Sequence, residues 1–299
     1  MRVLVSGASG LIGRAICALL REKRYEVHSL VRDAAKASPY DVVWRPSAGI
    51  DAKQIAGFDA IVHLAGSPVA TLWTAKAKAE IRGSRVQGTA NLALAAAEAF
   101  QADGKPRTLI CGSAIGYYGS RGDEELVEES EAGLGFLAEV CREWEYAASP
   151  AAMAGVRAAR MRTALVLSTE GGALTKMLPA FRLGVGGKLG SGRQWWSWVS
   201  LRDAARAFVF AVENEQTHGA MNLAAPDAVT NAEFTKTLGR VLHRPTLLNV
   251  PAFVLRAVAG EMAEEMLLSS QRVVPQRLME AGFQFEDEEL EPALRKLLE

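Results

Sequence analysis

The opening stretch "RVLVSGASGLIGRAICALL" constrains the fold more than any other part of the chain. A short apolar run ends in glycine, and from Leu11 onward apolar residues recur at helical spacing. Gly7, Gly10 and Gly13 fall at the junction. A strand that turns directly into a helix has a use for each of them. The first permits a tight turn, the second lets the backbone approach a pyrophosphate, and the third lets helix pack on strand. The helix N-terminus adds unpaired N–H groups and a partial positive charge. Strand, glycine spacing and helix occur here together, which is the context a dinucleotide-binding loop requires.

The same alternation continues through the first 170 residues. "YEVHSLVR", "DVVWRP", "FDAIVHLAG", "RTLICGSA" and "VRAARMRTALVLS" read as further strands. Helical patterns cover residues 75–100, which are rich in alanine, and residues 134–153. Continuous apolar strands between amphipathic helices predict an α/β fold, a parallel sheet covered on both faces. Right-handed crossovers make that sheet doubly wound and Rossmann-like. After residue 170 the pattern loosens. "GVGGKLGSGRQWWSW" reads as a glycine-rich aromatic loop, and "LRDAARAFVFAVEN", "TNAEFTKTLGRVL", "PAFVLRAVAG" and "EPALRKLL" read as helices. The expected organisation is a nucleotide-binding domain over residues 1–170, to which a segment of about 195–230 returns, and a smaller mixed C-terminal lobe over 171–299.

Bulk properties exclude several classes of function. The 34 basic residues balance 34 acidic ones, so no basic excess points to nucleic acid. No apolar run approaches the ~20 residues that span a bilayer. The chain opens directly on a strand pattern, and Cys17, Cys111 and Cys141 are scattered, which fits a cytoplasmic protein. His28, His63, His218 and His243 show no metal-ligand spacing.

The end of the second strand normally reads the adenosine ribose. "SLVRD" places Arg32 there, followed by Asp33. A guanidinium suits a 2′-phosphate through charge-assisted bonds, which favours NADP(H) over NAD(H). The alternative is a solvated Arg32 with Asp33 facing the ribose.

Several segments together bring a family resemblance. "GASGLIG", "FDAIVHLAG", "RVQGTANLALAA", "GSAIGYYG" and "WVSLRDAARAF" resemble the motifs of extended short-chain dehydrogenases/reductases, in the NAD-dependent epimerase/dehydratase superfamily. "GSGRQWWSWVSLRDAARA", "NAEFTKTLGRVLHRP" and "SSQRVVPQRLMEAGFQF" resemble an atypical subgroup known as epimerase family proteins, with a characteristic C-terminal segment. The resemblance implies a Rossmann fold, NADP(H) binding and epimerase or oxidoreductase chemistry. It implies cofactor contacts from Ser9, Leu11 and Ile12 in the turn, and from His63, Leu64, Ala65 and Gly66 at the fourth strand. Glu80 and Arg85 on the long helix would reach the cofactor side of the cleft, unless they are surface charges. His63 has the alternative of a structural role inside a buried strand.

One stretch departs from the family. Its members generally use Ser, Tyr, a Lys four residues after the Tyr, and often Asn. The spacing puts Tyr and Lys on one helix face. Carried over, the serine is Ser113, but "GFLAEVCREWE" has Phe136 and Val140 in place of Tyr and Lys, and Arg85 replaces the asparagine. No other Tyr in the chain is followed four residues later by Lys. Three readings stay open: a substitute acid, hydride transfer without a protein acid, or nucleotide binding without turnover. Tyr117 is the candidate substitute, with Arg85 as the cation near it, against a structural role for both Tyr117 and Tyr118. A small-molecule substrate would meet the aromatic loop through Gln194, Trp195 and Trp198, unless the tryptophans are core. By analogy with the fold, two long helices beside the sheet could form a homodimer interface.

Overall fold

The computed structural model describes residues 1–299, the side chain of Lys36 excepted. Its central sheet contains β1 (Arg2–Ser6), β2 (Glu26–Val31), β3 (Asp41–Val43), β4 (Ala60–His63), β5 (Thr108–Ala114), β6 (Arg157–Thr163) and β7 (Gly219–Leu223). All are parallel, in the spatial order β7-β6-β5-β4-β1-β2-β3. The direction of winding reverses between β1 and β4, and a doubly wound sheet opens its ligand crevice at the C-terminal ends of such a pair.

Alternate residues of each strand feed two cores. Val3, Val5, Ala60, Val62, Ile110 and Met161 face one side, and Leu4, Ile61, Leu109 and Cys111 face the other. The first side is covered by α1 (Leu11–Glu22) and by Ala204, Phe208 and Val212 of a later helix. The second is covered by α2 (Ala75–Asp103), whose buried face is built from Leu92, Ala93, Ala96 and Ala99. Small side chains let this 29-residue helix lie close on the sheet. Thr74 caps its start, accepting from Ala77 N at 3.1 Å, and Gly104 ends it in the left-handed region at φ 65°.

The helical pattern over 134–153 is two elements. α3 (Phe136–Ala147) is followed by a short helix, Ser149–Met153, restarted with Pro150 in its first turn. After β6 the chain forms α4 (Gly172–Arg182), then returns to the sheet with α5 (Leu201–Glu213) and β7. α6 (Asn231–Val241) opens on a capping box, Thr230 with Glu233. α7 (Ala252–Ala259), a helical turn at Ala263–Leu267, a short helix at Gln276–Glu280 and α8 (Leu290–Leu298) follow in the C-terminal region. Leu174, Leu178, Phe181, Phe234, Leu238, Leu290 and Leu294 from α4, α6 and α8 share a separate core.

Two features differ from the sequence expectation. The glycine-rich "loop" contains short strands: Gly187–Leu189 pairs with Leu248–Val250, Trp195–Trp196 with Val229–Thr230, and Trp198–Ser200 with Leu165–Leu167. The tail also crosses back to the central sheet, where Leu278, Phe283 and Phe285 enter the core beneath α1 and α5. Among the described residues, no helix is long and apolar enough to cross a membrane.

Candidate functional site

The glycine loop closes against β4. Gly7 has φ +68°, and a Cβ there would lie 2.9 Å from the Leu64 carbonyl carbon. At Gly13 a Cβ would lie 2.1 Å from Gly7 O, so any side chain would push α1 off the loop. Gly10 donates its N–H to Gly7 O at 2.9 Å and caps α1 with extended backbone. No side chain caps this helix and no acidic residue lies in its first turn. The N–H groups at Leu11 and Ile12 are therefore left for an anion. Ser9 is exposed beside them, and its carbonyl accepts from Arg14 Nη1 at 2.9 Å.

Ser6 ties the ends of β1 and β4 together. Its Oγ accepts from Leu64 N at 3.1 Å and Ala65 N at 3.2 Å, and lies 2.6 Å from His63 Nδ1. Leu64, Ala65 and Gly66 thus lie beside the glycine loop. The His63 side chain is not exposed there. Its ring is fully buried and packs edge-on against Trp44, and burial lowers its pKa to about 4. This corrects the expectation of a side-chain cofactor contact at His63: the imidazole is a neutral core group that braces Ser6.

Arg85 folds back onto the same edge. It donates from Nη1 to Ser67 O at 3.0 Å and Ile81 O at 3.1 Å, and its guanidinium carbon lies 5.2 Å from the Trp144 ring centre. A Cβ on Gly66 would lie 3.1 Å from that carbon, so the missing side chain at Gly66 makes room for Arg85. Burial pushes the Arg85 pKa down. Glu80 is exposed on α2. Arg32 is exposed just after β2, and Asp33 beside it caps a short turn by accepting from Ala35 N at 3.0 Å.

A buried polar network fills the ends of β5 and β6. Arg162 meets Glu145 through two bonds, Nε to Oε1 at 2.8 Å and Nη2 to Oε2 at 3.0 Å. Its Nη1 donates to Tyr118 Oη at 2.8 Å and to Glu128 O at 3.0 Å. Burial disfavours the Arg162 charge, but the bonds and field of Glu145 outweigh it and raise the pKa. Tyr118 donates onward to Asn222 Oδ1 at 2.7 Å, and burial pushes its phenol up to about 12. Ser113 is buried in this network, donating to Glu145 Oε1 at 2.7 Å. That corrects the expectation that its hydroxyl faces a substrate.

Tyr117 is placed differently from its neighbour. It is half-buried, and the Arg162 guanidinium carbon lies 3.5 Å from its ring centre. The cation against Tyr117 is thus Arg162 rather than Arg85. Among the described residues its hydroxyl makes no hydrogen bond. Arg162 and Glu145 were missed in the sequence because 17 positions separate them. The available signal was an arginine inside an apolar strand and a glutamate on the buried stripe of α3, charges that need each other.

Phe136 and Val140 are both buried, in an apolar cluster with Ile81. Trp73 meets Phe136 edge-on, with ring centres 5.0 Å apart. The α3 N-terminus is occupied by a carboxylate from the C-terminal region: Phe136 N and Leu137 N donate to Glu265 at 2.8 and 2.7 Å.

The aromatic loop needs a further correction. Trp198 is fully buried and donates from Nε1 to Asp227 O at 2.8 Å. Gln194 is buried and donates to Leu189 O at 3.0 Å and Leu267 O at 3.2 Å. Both are internal braces. Trp195 alone of the three is half-buried, with Arg272 over its ring at 4.6 Å and its Nε1 on Asp123 Oδ1 at 2.8 Å. It borders a recess of about 490 Å³ shared with Asp227, Val229, Arg272 and Leu290. Among the described residues no cluster of His, Cys, Asp and Glu could hold a metal.

Comparison with known proteins finds relatives along the whole chain. Residues 3–224 match the model of the NAD dependent epimerase/dehydratase family, and residues 250–297 match a domain of unknown function, DUF1731. Epimerase family protein Mb2239 of Mycobacterium bovis is 43% identical over 294 residues, covering 98% of this chain and 96% of its own. The crystal structure of human epimerase family protein SDR39U1 with NADPH superposes with a TM-score of 0.86 at 32% identity, covering 99% of each chain. A nucleoside-diphosphate sugar epimerase from Corynebacterium glutamicum superposes at 0.81 with 37% identity, over all of this chain and 58% of the other.

Proposed function

The chain belongs to the NAD dependent epimerase/dehydratase family, and from that premise we propose that it binds NADP(H) and exchanges a hydride with a small carbonyl or alcohol substrate. The observation behind this reading is the cradle at the glycine loop. Side chains at Gly7 and Gly13 would collide with backbone, and the α1 N-terminus has no protein group to cap it. Such a cradle fits a pyrophosphate. The NADPH in the human relative supports the same choice of cofactor.

In this proposal Leu64, Ala65 and Gly66 flank the bound dinucleotide, and Arg32 meets the 2′-phosphate. Arg85 and Glu80 border its nicotinamide side. The nicotinamide, when bound, supplies or accepts the hydride. Tyr117 gives or takes the proton at its phenol oxygen, and Arg162 holds that ring in place. Ser113 serves the network through Glu145 instead of touching substrate. The apolar filling at Phe136 and Val140 favours a second reading, in which the chain binds NADP(H) and does not turn over.

Titration with NADPH and NADH, followed by nicotinamide fluorescence, tests the reading. NADPH is expected to bind at least about tenfold more tightly, since charge-assisted bonds contribute ~1.5–3 kcal/mol. Arg32→Ser is expected to erase the preference. Failure to bind either nucleotide would sink the proposal. Loss of turnover in Tyr117→Phe with NADPH affinity intact would decide for the enzyme over the binding module.

A further inference from the structure

Residues 251–268 lie between the strand Leu248–Val250 and the buried Ser269. They run from the C-terminal lobe to the nucleotide-binding side, and their mode of attachment is unusual. α7 buries none of its residues fully, and Phe253 and Val258 are 70% and 76% exposed. Gly260, at φ +57°, separates α7 from a second short helical turn, Ala263–Leu267. Arg256 Nε bonds Glu264 Oε2 at 2.7 Å across that joint, so the two pieces hold together as a unit.

Among the described residues, the polar contacts from this segment to residues 1–170 are all made by two carboxylates. Glu265 accepts from Phe136 N at 2.8 Å and Leu137 N at 2.7 Å, where the α3 dipole is positive. Gly135, at φ +109°, makes the approach possible, since a Cβ there would lie 2.8 Å from Glu265 Oε1. Glu261 pairs with Lys78, whose ammonium lies 4.9 Å from the Phe136 ring centre and 5.7 Å from that of Trp73. The other end is held by Gln194, which donates to Leu267 O at 3.2 Å.

Both points of attachment sit on connections that leave the C-terminal ends of strands. Lys78 lies in the first turn of α2, which follows β4, and Phe136 opens α3, which follows β5. A doubly wound fold places its ligands along that edge. A segment joined there by two carboxylates, with an exposed helix and a glycine joint, has the make-up of a low-stability unit that opens by itself.

We propose that residues 251–268 form a strap over this edge of the crevice, latched by Glu265 on the α3 N-terminus and by Glu261 on Lys78. Closed, it bridges the lobe and the nucleotide-binding domain. Opening breaks a few polar contacts and uncovers Ala263 and the half-buried Leu255 and Leu268, but it leaves both cores intact, so the crevice is reached without unfolding either part. The strap is independent of whether the bound nucleotide is NADP(H).

Hydrogen–deuterium exchange of the full-length protein tests this. Amides of 252–268 are expected to exchange faster than those of β4 and β5. Glu265→Gln is expected to speed them further by about tenfold, the shift expected for weakening charge-assisted bonds, and Glu261→Gln by about two- to fivefold, since its pair with Lys78 is partly exposed. The sheet amides stay unchanged. Strap amides as slow as those of the sheet, and insensitive to both substitutions, would overturn the proposal. Glu265→Gln also weakens the α3 cap, so Glu261→Gln is the control. An effect that spreads through α3 and β5 in the first variant and is missing from the second counts against a latch. NADPH added to the native protein is expected to slow strap exchange. Unchanged exchange at a nucleotide concentration that slows the glycine loop would show that the segment does not cover the crevice.

Discussion

At the β1 end of the crevice the backbone presents the polar groups, whereas at the β5–β6 end side chains do. The glycine loop offers bare N–H groups, and its shape depends on atoms that are missing: Cβ at Gly7 and at Gly13. The β5–β6 end is crowded with polar side chains, Ser113, Glu145, Arg162, Tyr118 and Asn222, each partnered by another. The first region tolerates no added volume. The second tolerates no lost partner. Substitutions that break one should leave the other standing.

The largest effect is expected at Gly13. A Val there would bring its Cβ to 2.1 Å from Gly7 O, and no side-chain movement relieves a clash with backbone. Gly13→Val should abolish NADPH binding, with the loss at least about 100-fold by titration, because the helix N-terminus is displaced from its anion. Binding that survives within a few-fold would mean that the loop is not the pyrophosphate cradle.

Glu145→Ala attacks the other end. It strands the buried Arg162 charge and removes the acceptor of Ser113. Breaking a buried pair on one side costs ~3–5 kcal/mol, so the midpoint of urea unfolding should fall sharply. NADPH affinity, measured on the fraction still folded, should stay near the native value. A loss of affinity without a loss of stability would put Glu145 in contact with the cofactor.

These two ends were not equally legible in the sequence. The glycine loop is local: strand, turn and helix are consecutive, and each glycine has a reason visible within seven residues. The sheet was legible for the same reason, since continuous apolar strands between helices leave few topologies. The network was not legible, because Arg162 on β6 meets Glu145 on α3 only after folding. For Ser113, sequence shows its position at the end of β5 but not which way a hydroxyl turns. Around Trp198, glycine density in the sequence masks a strand paired with Leu165–Leu167.

His63 sharpens the comparison, since it belongs to the backbone end yet behaves like the buried end. Unfolded, its imidazole ionises near 6.5, and in the folded chain burial lowers that to about 4. Between these values the unfolded chain binds the extra proton. This contribution to stability is therefore fully present above pH 6.5 and is lost as pH falls toward 4. The loss amounts to about 3 kcal/mol. Urea unfolding at a series of pH values should show it, and an NMR titration should find the imidazole still neutral at pH 5. An imidazole that titrates in the folded protein near its ordinary value would place His63 in water, next to the crevice.

The smallest effect separates two adjacent tyrosines. Tyr118 is fully buried, and its hydroxyl serves Arg162 and Asn222. Tyr118→Phe leaves Asn222 Oδ1 without its phenol donor, at a cost of ~1–3 kcal/mol. Tyr117 is half-buried, with its ring on Arg162 at 3.5 Å. Tyr117→Phe keeps the ring and the stacking, and its stability should lie within about 0.5 kcal/mol of the native protein. The two variants differ by one oxygen at neighbouring positions, so the contrast isolates what each hydroxyl does. If Tyr117→Phe is as costly as Tyr118→Phe, its hydroxyl has a structural partner and both tyrosines belong to the network. If it is silent in unfolding, that hydroxyl is free for a ligand, and a proton-transfer role rests on whether turnover falls with it.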